Sequence, residues 1–283
     1  MSVASSPAAE APAGALRVQA RPAGFVVDVA SVARRAIRQI PREPEAVIPA
    51  LIVPIFFYVL NIGALSKITH AAAHFSFKSF ELPVAVVFAV TGISRASALV
   101  TDIQNGYFDR LMITPVRRLP LLLGLMTADL TLVMALAIPV VIVGLAIGVR
   151  FHAGVLGIVI FVVLSGIWGL VFTGLPYAIA LKTGNPGAVN ASFILFFPIT
   201  FLSTTFAAKQ YLQGWLGAVA TYNPMTYILK GLRSLIVGGS GAPGPDPSWS
   251  PGSIGEAVLA IAGFGAVSLT LALLALRGRV RRP

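Results

Sequence analysis

Runs of about twenty nearly uncharged apolar residues recur along this chain, and a helix of that length, rising about 1.5 Å per residue, matches the roughly 30 Å hydrocarbon core of a bilayer. Six such runs lie near residues 46–65, 82–101, 119–147, 154–181, 187–207 and 255–276. A membrane offers two spanning solutions, closed barrels and helices. Barrel strands alternate apolar with polar residues, whereas these runs are continuously apolar, so helices are required. The expected fold is an all-α membrane protein with six transmembrane helices. Composition agrees, since 57% of the 283 residues are hydrophobic and 11% charged. Cysteine is absent, which removes disulfides, thiolate nucleophiles and Cys-built metal sites.

A net charge of +11 could suggest nucleic acid. Its distribution points to lipid headgroups, with no nucleic-acid partner. With the amino terminus in the cytoplasm, fourteen Arg and Lys residues fall inside and six outside, with Arg95 left within a span. That asymmetry is what the positive-inside rule requires, and it puts both termini of the chain in the cytoplasm. The charge-free stretch from Gln210 to Leu229 is an alternative seventh span. Crossing there would send the Arg-rich stretch at 277–282 outward, and the stretch holds Gln213, Asn223 and Pro224. A segment that dips in from the outer face, covered by protein, satisfies both constraints.

Residues 1–24, rich in Ala, Pro and Ser, lack the basic start and apolar run of a secretory signal and read as a disordered cytosolic tail, followed by one membrane domain over 25–283. Ahead of the first span, Phe25, Val29, Val32, Ala36 and Ile40 share one helical face while Asp28, Ser31, Arg35 and Arg38 share the other. Such a basic amphipathic helix is expected in the inner headgroup layer, with membrane lipid as its partner; a helix packed on another domain is the alternative.

Between the second and third spans, residues 101–117 form a polar segment. Asp102 and Asn105 can cap a helix start, Tyr107, Phe108, Leu111 and Met112 recur at helical spacing, and Pro115 closes the segment. It reads either as a short cytosolic helix on which an external motor could push or as a loop with one turn of helix. Arg95 and Asp129 are charges inside apolar spans, at depths of about 9 and 12 Å from the inner boundary. They can pair, or Arg95 can snorkel while Asp129 faces water. His70 and His74 could share a helical face, but without a third ligand they imply no metal. Nucleotide-binding loops, HExxH and nucleophile elbows are all missing, so no catalytic engine is expected in the chain.

The interfacial helix, six spans, the Asn105 to Arg118 stretch and the later Tyr222-Asn-Pro-Met-Thr226 followed by Leu229-Lys-Gly-Leu-Arg233 resemble permeases of the type-2 class of ABC exporters, with the closest look to daunorubicin-type drug exporters. Asp102 and Asp109 stand where members often carry Glu, and Met112 where Leu is usual. The resemblance implies that Asp102, Asn105, Gly106, Tyr107, Phe108, Asp109, Arg110, Leu111 and Met112 form a coupling helix. That helix would be gripped by ATP-binding subunits, two per complex, which bind ATP and Mg. It implies a second permease copy or paralogue, an outer re-entrant hairpin bent at Asn223 and Pro224 and reaching Arg233, and a place in the bacterial inner (plasma) membrane. Export of a drug, lipid or glycolipid by alternating access would follow, with Phe57, Phe88, Phe196 and Phe197 offering apolar contacts. A transporter driven by an ion gradient, using Arg95, Asp129 or Glu256, is the competing expectation.

Overall fold

The computed structural model describes residues 24–42, 44–73, 76–106, 118–239 and 250–280. Among them the chain is helical, without a β-strand. The helices are α1 (Phe25–Gln39), α2 (Pro44–Ala73), α3 (Phe77–Thr91), α4 (Ala96–Gln104), α5 (Arg118–Ala146), α6 (Gly154–Thr183), α7 (Pro186–Ser192), α8 (Phe196–Phe201), α9 (Gly214–Tyr222), α10 (Pro224–Arg233) and α11 (Pro251–Val280). Local chemistry sets several of these ends. Gly184 closes α6 in the left-handed region at φ 61°, where a side chain would be strained. The Asn185 side chain then accepts the Gly187 N–H at 2.8 Å and Pro186 takes the first position of α7, so the chain restarts at once.

Among the described residues, five stretches are long and apolar enough to cross a membrane: Pro44–Lys67, Phe77–Gln104, Leu122–Ala146, Gly154–Thr183 and Pro251–Gly278. The span expected near 187–207 differs. There α7, a single 3-10 turn at Phe193–Leu195 and α8 make a continuous helical path only from Pro186 to Phe201. At 1.5 Å per residue that path is about 24 Å, short of a full crossing. Hydroxyl competition explains the stop. Ser203 Oγ and Thr205 Oγ1 both donate to the Thr200 carbonyl at 2.6 Å, replacing backbone donors that would have continued the helix.

Helix α6 is the centre of the bundle. Its Phe161, Trp168, Phe172 and Tyr177 are fully buried, and the Phe172 ring stacks on Phe264 of α11 at 6.1 Å and 3°. Glycines let the backbones approach. A Cβ added at Gly169 would sit 2.8 Å from the Val90 carbonyl oxygen of α3, and one at Gly174 would sit 2.8 Å from Ser268 Oγ of α11. By contrast α2 and α11 expose much of their apolar surface, including Phe56, Phe57, Leu259 and Val267.

The two ends of α6 define the two ends of the molecule. Near its last turn, Gln104 Nε2 at the exit of α4 donates to the Gly184 carbonyl at 3.1 Å. At its first turn, Phe151 and Ile236 form an antiparallel bridge, with Val237 N donating to Arg150 O at 2.8 Å and His152 N to Leu235 O at 3.1 Å. Helix α1 packs on α5, and so closely that a Cβ at Gly124 would fall 2.6 Å from Val32 Cβ.

The α6–α11 contact gives a direct test. Gly174→Ala places a methyl against Ser268 side chain and backbone and is expected to destabilise by about 1–3 kcal/mol. Gly255→Ala, on the open face of the same α11, meets nothing within 4 Å and is expected to be neutral or slightly stabilising. Thermal unfolding of the detergent-purified protein reads both.

Candidate functional site

The polar residues that the apolar runs cannot absorb gather in two places, at opposite ends of the bundle. The first surrounds α4. Asp102, expected to cap a helix start, lies instead in the last turn of α4, and Asn105 follows as its C-cap. Gly106, at φ 68°, then turns the chain in the left-handed region. The reason is that the second apolar run continues as helix through Gln104, so Asp102 is directed sideways to α1, where Arg35 Nη2 donates to its Oδ1 at 3.2 Å. With side chains 42% and 26% exposed, that pair contributes about 0.2–1 kcal/mol at most and serves to position rather than to stabilise. Ser97 Oγ lies 3.4 Å from Asn190 Oδ1 of α7, and Gln104 holds Gly184 as above. Tyr107, Phe108, Asp109, Arg110, Leu111 and Met112 lie outside the described residues, as does His74.

Arg95 and Asp129 do come together, although through the backbone. The second apolar run breaks between Thr91 and Ala96, and the Arg95 N–H donates to Asp129 Oδ1 at 2.9 Å. Ser94 Oγ reaches Asp129 Oδ2 at 3.4 Å and in turn accepts the Ala96 N–H at 3.1 Å. Asp129 is fully buried on α5, beside Tyr177 of α6. The Arg95 guanidinium donates to Gln39 Oε1 of α1 at 2.9 Å.

The second gathering centres on Asn223 and Arg233. Asn223 sits between α9 and α10, and its side chain works in both directions. Its Oδ1 accepts the Met225 N–H at 2.9 Å, while Nδ2 donates to the Ile199 and Leu202 carbonyls at 2.7 and 2.8 Å. Pro224, lacking an N–H, takes the first position of α10, where no donor is needed. Arg233, buried at the end of α10, donates to the carbonyls of Phe80, Thr204 and Thr205 at 3.1, 2.8 and 3.4 Å, and its guanidinium carbon lies 3.5 Å from the centre of the Phe80 ring. One side chain thereby ties α3, α10 and the non-helical turn after α8.

Sequence reasoning missed Glu81. It is buried on α3, accepts from Asn61 Nδ2 of α2 at 2.9 Å, and has Arg233 as its neighbouring cation. Drawing the second span from residue 82 left it at the boundary, whereas α3 starts at Phe77. The helical spacing of Phe77, Phe80, Glu81 and Val84, all buried, was the available signal.

Of the four phenylalanines singled out, Phe88, Phe196 and Phe197 form one ring network, with centroids 5.0 Å apart for Phe88–Phe196 and 5.9 Å for Phe196–Phe197. Phe196 is buried and supports the exposed Phe197. Phe57 lies on α2 and meets Phe56 edge to face. Among the described residues, no group of three or more His, Asp or Glu side chains is placed to hold a metal ion.

The ABC-2 type transporter family profile matches residues 28–237. A daunorubicin resistance ABC transporter permease protein, DrrB1, from Streptomyces coeruleorubidus is 28% identical over 215 residues, covering 73% of this chain and 74% of the relative. A probable doxorubicin resistance ABC transporter permease protein, DrrC, from Mycobacterium tuberculosis is 23% identical, covering 76% and 79%. A putative transport permease, ycf38, from Cyanophora paradoxa is 23% identical, covering 75% and 74%.

Removing Arg233 strands a buried carboxylate and three carbonyls. Arg233→Ala is expected to destabilise by about 3–5 kcal/mol, and Glu81→Gln in the same chain to recover part of that loss, because neighbours in one network are not additive. Thermal unfolding of the two single variants and the double variant measures the coupling.

Proposed function

The chain belongs to the ABC-2 type transporter family, and from that premise we propose that it is the membrane permease of an exporter that moves a hydrophobic or amphipathic substrate outward, powered by ATP hydrolysed on separate subunits. That it is a multi-pass membrane protein and the transmembrane subunit of an ABC transporter follows from the family and the apolar helices. The exporter reading goes further. In it two permeases join two ATP-binding subunits, ATP and Mg bind on the partners, and the complex sits in a bacterial inner membrane with both termini of this chain in the cytosol.

The observation that carries this reading is the tethered exit of α4. A membrane-crossing segment ends at Gln104 with bonds to α1 and to the α6–α7 turn, so a push delivered just beyond it enters the bundle through polar contacts rather than dissipating in a loose loop. The sequence count of fourteen Arg and Lys on the side of the amino terminus against six on the other supports assigning this end to the cytosol. A single traverse by residues 186–234 supports the two termini lying on the same side of the membrane. Gly184 lies at one end of α6 and residues 235–237 pair with 150–152 at the other, so the intervening chain makes one net passage along the bundle. Crossing with the short α7–α8 path, it completes the passage with the Ser203 to Thr205 turn, whose backbone is covered by Asn223 and Arg233. Helices α9 and α10 then form the outer re-entrant hairpin.

In the cycle, closure of the ATP-bound partners is passed through Asp102 to Met112 and shifts two permeases between inward- and outward-open states. ATP drives that shift only by its differential affinity for the two states. Substrate of the drug class named for the relatives fits a site at the permease interface, with Phe57, Phe88 and Phe197 supplying apolar contacts and Phe196 backing them.

Asp109→Lys combined with Leu111→Asp tests the motor contact. With doxorubicin as probe in inverted vesicles, the double variant is expected to keep its fold and the ATPase activity of the complex while losing more than tenfold in export. Full export by this variant removes the proposed role of the segment.

A further inference from the structure

The break in the second apolar run is the feature that the exporter reading leaves unused. Helices α3 and α4 together are long enough to cross a membrane, yet the helix is interrupted from Gly92 to Arg95, which leaves the N–H groups at the start of α4 without partners inside the helix. Asp129, on a different helix, fills that need. Its Oδ1 takes the Arg95 N–H at 2.9 Å, and its Oδ2 holds Ser94 Oγ, which accepts the Ala96 N–H. A carboxylate also suits the positive end of a helix dipole.

The two ends of α4 are held differently. At its start the partner is a fully buried carboxylate on a helix packed into the core. Its far end is held by exposed polar contacts, Arg35–Asp102 at 3.2 Å and Gln104–Gly184 at 3.1 Å, over an apolar face of Leu99, Val100 and Ile103 that has no directional bonds to break. A nine-residue helix anchored firmly at one end and lightly at the other is a lever. We infer that Asp129 is a positioning residue of the transport cycle: it pins the start of α4 so that a displacement of the far end becomes a rotation about Gly92–Arg95 rather than an unravelling of the helix. This rests on the reading that the segment after α4 meets the motor.

The cysteine-free chain makes the test direct. Thr101→Cys on α4 and Thr131→Cys on α5, both exposed, carry spin labels in the assembled complex, with labelled permease diluted by unlabelled copies. Comparing nucleotide-free and ATP-trapped complexes, the mean distance is expected to shift by about 2 Å or more. Asp129→Ala is expected to abolish the shift and broaden the distribution with the complex still assembled, and Asp129→Asn, which keeps an oxygen acceptor for the Arg95 N–H, to restore it. Ser94→Ala, a milder change, is expected to halve the shift and decides the matter should Asp129→Ala fail to fold.

No shift in the parent chain, an unchanged shift in the alanine variants, or an asparagine variant as impaired as Asp129→Ala overturns the proposal. Export that survives Asp109→Lys with Leu111→Asp would instead remove the motor contact on which it rests, so the two failures are distinct.

Discussion

Inside hydrocarbon no water is available for a peptide group, so every interruption of a helix has to bring its own hydrogen-bond partners. Several of the buried polar residues, Asp129, Ser203, Thr205, Asn223 and Arg233, can be understood from that constraint. At Gly92–Arg95 the partners are Asp129 and Ser94; at the Ser203–Thr205 turn they are Asn223, Arg233 and the local hydroxyls; at the α9–α10 bend Asn223 serves again. These side chains keep broken backbone stable where a straight helix would need nothing.

The arrangement divides the molecule mechanically. Around α6 the bundle is close-packed through aromatic side chains and glycines, and it has little room to deform. The interruptions lie towards its two ends. One lies between α3 and α4, ahead of the polar segment, and the other lies around the Ser203–Thr205 turn and the bend between α9 and α10. A transporter needs such a division, since a core that moves as one body can carry a displacement from a motor on one side to an exit on the other. The energetics agree in kind. Buried networks such as that of Arg233 are costly to disrupt, whereas the exposed Arg35–Asp102 pair is weak enough to be exchanged during a cycle.

Much of the bundle was legible because apolar runs and helix rise are enough to locate long helices, and the helices α2, α5, α6 and α11 lie where those runs are. The run at 187–207 reads as one long helix, since composition counts Ser203 and Thr205 as tolerable in a span, whereas their hydroxyls capture the Thr200 carbonyl and the helical path ends at Phe201. Arg95 and Asp129 were placed at similar depths, yet which atoms would meet depended on the helix break beside Gly92, and a lone glycine in an apolar run is a weak signal. Glu81 was hidden by a boundary drawn at residue 82, five residues after α3 begins. Asn223 was readable as a residue that satisfies backbone at a bend, but its reach to Ile199 and Leu202 depends on tertiary packing across more than twenty residues of chain.

The most direct measurement places a single cysteine at Gln104, exposed at the exit of α4, in the otherwise cysteine-free chain and asks from which side a membrane-impermeant thiol reagent reaches it. An ATP-driven permease gripped from the cytosol predicts labelling in inverted vesicles, protection when the ATP-binding subunit is bound, and none in intact cells. Labelling from outside intact cells, or labelling in inverted vesicles that the subunit leaves unchanged, would contradict the account.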